Sequence, residues 1–277
     1  MAYIVYHFLV EPKELGCEIL IAELDAIGFD SFEETEKGLD AYIKKDACIP
    51  GILSPVQILN SKDFVIIYSK EELAHINWNS EWEKNFNPVL IDDKVSIRAP
   101  FHEKLQNILY DIVIEPKMSF GTGHHETTHV MVQHILELDI ENKKVLDMGC
   151  GTGVLAILAE MKGANSLDAI DIDTWCYENS IENIERNNCS QIKVYEGNAT
   201  LLKDKKYDII IANINRNILL QDIKTYAKCL DKNGVLLLSG FYLEDMPIIE
   251  SETKKQGFEK INFKERHKWL AVKFIKN

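Results

Sequence analysis

The second half of the chain alternates between two kinds of apolar pattern. Short, nearly continuous apolar runs predict buried strands at 143–149, 166–173, 192–198, 207–213, 234–241 and 269–276. Segments with helical spacing of apolar residues lie between them, at 129–138, 154–163, 175–188, 218–230 and 248–257. This alternation is typical of an α/β domain in which helices cover both faces of a largely parallel sheet.

The N-terminal part follows a different order. The pattern predicts a strand at 3–10, a helix at 14–27 that Gly28 closes, and strands at 30–35, 39–44 and 63–70. A second helix is possible around 47–59. A β-α-β-β-α-β order of this kind predicts a small α+β, ferredoxin-like domain over residues 1–68.

A connector joins the two parts. Trp78, Trp82 and Phe86 recur every four residues before Pro88, which predicts a helix with one aromatic stripe. Such a stripe usually packs on a domain, although it can form a binding surface. We therefore expect a helical linker at 69–92. The large domain then covers 93–277 and opens with strands at 94–100 and 110–115.

The composition and charge of the chain restrict the kinds of partner and location that we expect. The chain has 277 residues, 46% of them hydrophobic, and a net charge of -13. That charge disfavours direct binding to nucleic acid and suits a basic partner, although it can also serve solubility alone. The six cysteines form no C-x-x-C pair, and no leader or membrane-length apolar stretch is apparent. We expect a cytoplasmic monomer that contacts neither membrane nor nucleic acid.

The strand predicted at 143–149 ends in a glycine loop, Gly149-Cys150-Gly151-Thr152-Gly153. Glycines at the carboxyl end of a parallel strand let the backbone approach a ligand closely. A dinucleotide-binding loop reads G-x-G-x-x-G, whereas here the third glycine comes one residue earlier. The spacing therefore favours a ligand without a pyrophosphate, and a turn without any ligand is the alternative.

Two candidate ligand residues lie at the ends of later strands, the second and the fourth of this alternating series. Asp171 lies about 20 residues beyond the glycine loop, where a carboxylate can accept both hydroxyls of a ribose. Asp173 is interpreted as the N-cap of the next helix. Asn213 ends the strand at 207–213, and its amide could bind a ligand or, equally, cap a helix or form a turn.

Residues His125 to His129 spell H-E-x-x-H, the pattern of zinc proteases. A catalytic zinc needs a third protein ligand and an open position, and the surrounding sequence offers neither clearly. We therefore expect no metal site. Thr127 and Thr128 are then expected to place their hydroxyl groups at the start of a helix, beside the cleft.

Four segments together resemble the bacterial methyltransferases of ribosomal protein L11, the PrmA family. They are MSFGTGHHETT (118–128), VLDMGCGTGVLAILA (145–159), AIDID (169–173) and IIANI (210–214). The resemblance implies a doubly wound, seven-stranded Rossmann-like domain that binds S-adenosylmethionine. It implies cofactor contacts at Phe120, Thr128, Gly149, Gly151, Asp171 and Asn213. The chain departs from the family pattern at Asn215-Arg216, where Leu-Ala is common.

The resemblance further implies methylation of lysine and N-terminal amines on a basic, large-subunit ribosomal protein that the N-terminal domain recognises. Asn213 would position the amine, and no general base is evident. Alternatives are a methyltransferase of the same fold acting on another protein or a small amine, a nucleoside-binding module without activity, and, most remotely, the zinc protease.

Overall fold

The structure is a computed structural model that describes residues 3–72, 87–117 and 119–277. Its contacts divide the chain into two compact units, Met1–Phe86 and Asn87–Asn277. The aromatic stripe of the expected linker lies outside the described residues. The ends of the 69–92 range belong to strands instead, because β4 is Val65–Glu72 and β5 is Val89–Ile91.

In residues 3–72, the part that the structure describes, the first unit is a four-stranded antiparallel sheet with one α-helix. Its elements are β1 (Tyr3–Glu11), α1 (Lys13–Asp25), β2 (Ser31–Thr35), β3 (Gly38–Lys44) and β4, in the sheet order β2-β3-β1-β4. Alternate residues of β1, including Tyr6 and Phe8, are buried in one apolar cluster with Leu20 and Leu24 of α1. β1 and β3 thus each have one face in the core, whereas the residues of β2 and β4 are exposed or half-buried.

The expected helix at 47–59 is wrong. The segment consists of turns and ends in a short 3-10 helix, Ile58–Asn60. Pro50 and Pro55 interrupt it, and proline removes a helical hydrogen bond and clashes with the preceding turn. Its apolar residues are nevertheless buried, because Val56 and Ile58 pack into the core of this unit.

The second unit is built on the expected seven-stranded sheet, in the order β10-β9-β8-β11-β12-β14-β13. The strands are β8 (Lys144–Met148), β9 (Ser166–Asp171), β10 (Ile192–Glu196), β11 (Tyr207–Asn213), β12 (Leu230–Tyr242), β13 (Phe258–Arg266) and β14 (Trp269–Lys276). The helices are α2 (Glu126–Glu137), α3 (Val154–Met161), α4 (Thr174–Arg186), α5 (Arg216–Cys229) and α6 (Met246–Lys255). Within the described residues, no helix is both long and apolar enough to cross a membrane.

Both faces of this sheet are covered. Val145 and Leu146, which are neighbours in β8, belong to two different apolar clusters. One cluster includes residues of α2, α3 and α4, and the other includes residues of α5 and α6. The continuous apolar runs therefore reflect burial on both sides, and the doubly wound fold is confirmed.

β14 departs from the parallel arrangement of this sheet. β14 runs antiparallel to β12 and to β13. β13, which the apolar pattern did not indicate, lies at the edge of the sheet with most of its side chains exposed. An exposed edge strand has no buried face to impose a period-two pattern, which explains why it was missed. A separate small sheet joins β5, β6 (Val95–Arg98) and β7 (Tyr110–Val113).

The sheet order creates a crevice at one place. β8 is the first strand of the large sheet along the chain and β11 is the fourth, yet they lie side by side. The connections from these two strands lead to opposite halves of the sheet, so the loops at their carboxyl ends diverge. Such a switch point is where open α/β sheets bind ligands.

Candidate functional site

A cavity of about 820 Å³ opens at the carboxyl ends of the parallel strands. Five of the six predicted cofactor residues line it: Phe120, Gly149, Gly151, Asp171 and Asn213. The sixth, Thr128, is buried near the start of α2 and is not among the lining residues. Its hydroxyl has no hydrogen-bond partner within the described part of the chain.

The glycine loop is shaped by close approaches of neighbouring atoms. A Cβ atom on Gly149 would lie 2.0 Å from Cγ2 of Ile214, and one on Gly151 would lie 2.2 Å from the carbonyl oxygen of Phe120. Both glycines also have positive φ angles, of 72° and 55°. Side chains are therefore excluded at both positions, and backbone forms this wall of the cavity.

The segment before α2 is bound to the glycine loop. The amide of Thr152 donates to the carbonyl of Phe120 at 2.9 Å, and the Thr152 hydroxyl donates to the carbonyl of Gly121 at 2.7 Å. These bonds hold Phe120 at the cavity, where its side chain remains about half exposed. Residues that are distant in sequence from the glycine loop thus become part of the same wall.

Asp171 combines a structural contact with a free capacity to accept hydrogen bonds. Its Oδ2 accepts the amide of Gly151 at 2.8 Å, and its Oδ1 accepts the amide of Asp173 at 3.1 Å. A carboxylate offers about four acceptor positions, so it can also bind hydroxyl groups from the cavity side. Asp173 does occupy the N-cap position of α4, but its side chain makes no capping hydrogen bond.

A second carboxyl group beneath the loop was not predicted. Asp147, the last residue but one of β8, is buried and accepts the amide of Ala156 at 3.1 Å. Burial raises the pKa of Asp147 to about 7, against the opposing effect of the Ala156 bond, and the charge of Asp171 adds to the rise. The sequence signal was available, since this acidic residue interrupts an otherwise apolar strand.

Asn213 is a candidate for binding rather than for capping. Its Oδ1 is buried and has no hydrogen-bond partner among the residues that the structure describes. Asn215 caps α5 instead, accepting the amide of Asn217 at 2.9 Å. An unsatisfied buried acceptor costs free energy that a ligand N–H group can recover. The cap alternative for Asn213 is therefore wrong.

The unusual pair Asn215-Arg216 has a local explanation. Asn215 lines the cavity and caps α5. Arg216 is not a lining residue; its guanidinium donates to Asp245 at 2.5 Å. The extra positive charge is therefore paired beside the cavity.

The cavity also has a rim that the sequence did not reveal. Gly197 and Asn198, after β10, line it together with Ile172 and Trp175. The amide of Gly197 donates to the carbonyl of Asp171 at 2.8 Å, which brings the ends of β9 and β10 together. Ile172 and Trp175 are mostly exposed, so the rim offers apolar surface to a flat ligand. Their position after parallel strands was the available signal.

The H-E-x-x-H residues do not converge on one point. His125 caps α2 by accepting the amide of Thr127 through Nδ1. Glu126 binds Arg266 and His267, and His129 Nε2 lies 3.0 Å from an Arg266 nitrogen. Burial and then the charge of Arg266 lower the pKa of His129. An arginine at this position opposes cation binding, so the zinc-protease alternative is not supported.

Aromatic rings extend outward from Phe120. Its ring centroid lies 5.0 Å from that of His125, which lies 4.9 Å from that of Trp269. Trp269 in turn lies 4.0 Å from Tyr242. We call these four residues the aromatic row. Aromatic faces suit the apolar stem and the cationic end of a lysine side chain.

Comparison with known proteins gives consistent results. The sequence model of the ribosomal protein L11 methyltransferases (PrmA) matches residues 20–277. A ribosomal protein L11 methyltransferase of Bacteroides thetaiotaomicron is 46% identical over 278 residues, covering 99% of each chain. Another from Chlorobaculum tepidum is 34% identical, covering 92% of this chain and 91% of its own. The crystal structure of a ribosomal protein L11 methylase from Lactobacillus delbrueckii subsp. bulgaricus is similar with a TM-score of 0.65 and 25% identity. That similarity covers 69% of this chain and 100% of that one.

Proposed function

The chain belongs to the ribosomal protein L11 methyltransferase family, and from this premise we propose that it transfers methyl groups from S-adenosylmethionine to lysine side-chain and N-terminal amines of ribosomal protein L11. The observation that carries the proposal is the unsatisfied Oδ1 of Asn213, which borders a cavity walled by glycine backbone and by Asp171.

The residues present fit S-adenosylmethionine. Asp171 has acceptor positions left for the two ribose hydroxyls, and the glycine loop allows backbone to contact the ligand directly. The apolar rim at Ile172 and Trp175 offers surface to the adenine ring. When bound, the cofactor supplies an electrophilic methyl group on its sulfonium sulfur. The role of this chain is then to orient the reactants and to exclude water.

Asn213 is the residue that we assign to the amine. Its Oδ1 can accept an N–H of a neutral amine and so fix the orientation of the nitrogen lone pair. A free lysine amine has a pKa of about 10.4 and an α-amine about 8, so both must lose a proton to water before transfer. Desolvation on entry to the cavity favours the neutral form and assists this loss.

The acidic character of the chain supports a basic substrate. A net charge of -13 attracts a basic ribosomal protein and steers its approach. We assign recognition of the substrate to the first unit, with methyl transfer in the second, and we expect the enzyme to act as a monomer. Neither assignment requires contact with nucleic acid or membrane.

The experiment that tests this function is incubation of the full chain with radiolabelled S-adenosylmethionine and the large-subunit ribosomal proteins. We expect label on one protein, L11. Label on a different protein, on RNA, or on nothing would reject the proposed substrate. Asn213→Ala is the matched variant, and loss of label at saturating cofactor would support the role of this amide.

A further inference from the structure

Glu126 joins the start of α2 to the turn between β13 and β14. Its Oε1 accepts a hydrogen bond from His267 Nδ1 at 2.7 Å, and its Oε2 accepts one from Nε of Arg266. Arg266 also reaches His129, one helical turn further along α2, at 3.0 Å. Burial opposes ionisation, but the bonds from His267 and Arg266 outweigh it and lower the pKa of Glu126. The carboxylate is therefore charged at neutral pH and holds both turn residues.

Trp269 directly follows this turn, and on its other side it is paired with Tyr242 of β12. Arg266 and Trp269 are paired across the hairpin, and only His267 and Lys268 separate them. Those two residues have φ angles of 47° and 70°, the left-handed conformation of a tight two-residue turn. Side chains other than glycine adopt it at a cost, so contacts outside the turn must stabilise it. Glu126 supplies two of these contacts.

Trp269 connects the turn to the cavity through the aromatic row. Its ring packs between Tyr242 and His125, and His125 packs against Phe120 at the cavity. Glu126 itself is not among the lining residues. A change at Glu126 can therefore reach the outer side of the cavity through the turn without removing a contact to the cofactor.

We propose that Glu126 is a positioning residue for the protein substrate, which anchors the β13–β14 turn so that Trp269 completes the aromatic row beside the entrance for the amine. This inference rests on the proposed function. It assigns a use to the H-E-x-x-H segment that is independent of metal: His125 takes part in the row, while Glu126 and His129 hold the turn.

The test compares two glutamates of the same helix. Glu126→Ala removes the anchor, whereas Glu137→Ala removes a similar ion pair, at 2.6 Å, from the other end of α2 to Lys264 of β13. We expect Glu126→Ala to raise KM for L11 about tenfold, as the loss of hydrogen bonds to a charged group implies. Affinity for S-adenosylmethionine should stay within about twofold in both variants, and so should KM in Glu137→Ala. Equal effects in the two variants, or an equal loss of cofactor affinity in Glu126→Ala, would overturn the proposal.

Two further measurements separate positioning from a general loss of structure. Glu126→Gln keeps one acceptor oxygen, so its KM for L11 should lie between that of the wild type and that of Glu126→Ala. Trp269→Ala should raise KM as well, and the double variant Glu126→Ala with Trp269→Ala should be no worse than Trp269→Ala alone, because both act through one ring. Effects that multiply in the double variant would show that Glu126 does not act through Trp269.

Hydrogen exchange provides a readout without activity. The amide of Leu243 donates to the carbonyl of Lys268 at 3.1 Å and reports on the turn. Exchange at this amide and in the 264–271 peptide should accelerate in Glu126→Ala and not in Glu137→Ala. If the wild type methylates L11 but exchange in Glu126→Ala is unchanged, the role of Glu126 as an anchor of the turn is overturned and the proposed function is not. A wild type inactive on L11 would overturn the proposed function, and the substrate role of Glu126 with it.

Discussion

Replacing Asp147 with asparagine should change how stability depends on pH. In the folded chain, burial raises the pKa of Asp147 from 3.8 to about 7. Between about pH 4 and pH 7 the folded state keeps a proton that the unfolded state has released. The contribution of this group to stability is therefore full below about pH 4 and is lost as the pH rises towards 7.

The size of the effect follows from the two pKa values. Each tenfold change in a proton equilibrium corresponds to about 1.4 kcal/mol, so the shift from 3.8 to about 7 corresponds to about 4 kcal/mol. Asparagine does not titrate, and its amide oxygen can still accept the amide of Ala156. The variant should therefore gain up to about 4 kcal/mol on the wild type across this range, in addition to any offset that is constant with pH.

The assay is urea unfolding of both proteins at a series of pH values from about 4 to 8, followed by circular dichroism. Asp208→Asn is the control for loss of one acidic charge, because its carboxylate also accepts a backbone amide, that of Lys144 at 2.8 Å. Stability curves of wild type and Asp147→Asn that run parallel over the whole range would refute the burial argument.

Three further substitutions test the cavity. Asp171→Ala removes the acceptor for the amide of Gly151 and the proposed ribose contact, so cofactor affinity should fall about 100-fold or more by calorimetric titration; unchanged affinity would exclude the contact. Asn213→Ala should lower turnover on L11 about tenfold to 100-fold, measured with cofactor saturating, and unchanged turnover would remove this residue from the reaction. Gly151→Ala places a Cβ atom 2.2 Å from the carbonyl oxygen of Phe120, at a residue with a positive φ angle. The variant should therefore lose about 1–3 kcal/mol of stability and most of its cofactor binding. A melting temperature equal to that of the wild type would contradict this packing.

The fold of the second unit could be predicted because burial leaves a clear trace in sequence. β8 and β11 have apolar residues on both faces, and each is followed by a helix with several buried apolar residues. The same reasoning failed in segments where the pattern of apolar residues does not correspond to the backbone conformation. The segment 47–59 carries a helical apolar pattern but contains Pro50 and Pro55, and β13 is a strand with little burial.

The sequence could predict those residues of the candidate site that lie directly at the ends of strands. Asp171 and Asn213 end β9 and β11, so their place at one edge of the sheet followed from topology. The contact between Phe120 and Thr152 could not be derived in this way, because it joins two loops through backbone bonds. The hydrogen-bond partners of Glu126 could not be predicted from the sequence either, because Arg266 and His267 belong to a hairpin that the apolar pattern does not indicate.

The most direct test of the proposed function is the mass of purified L11 after incubation with the full chain and S-adenosylmethionine. We expect L11 to gain whole methyl groups, located by peptide mapping at lysine side chains and at the N-terminal amine, and to gain them about tenfold to 100-fold more slowly with Asn213→Ala in place of the wild type. L11 of unchanged mass, under conditions where the wild type binds S-adenosylmethionine, would contradict the proposal.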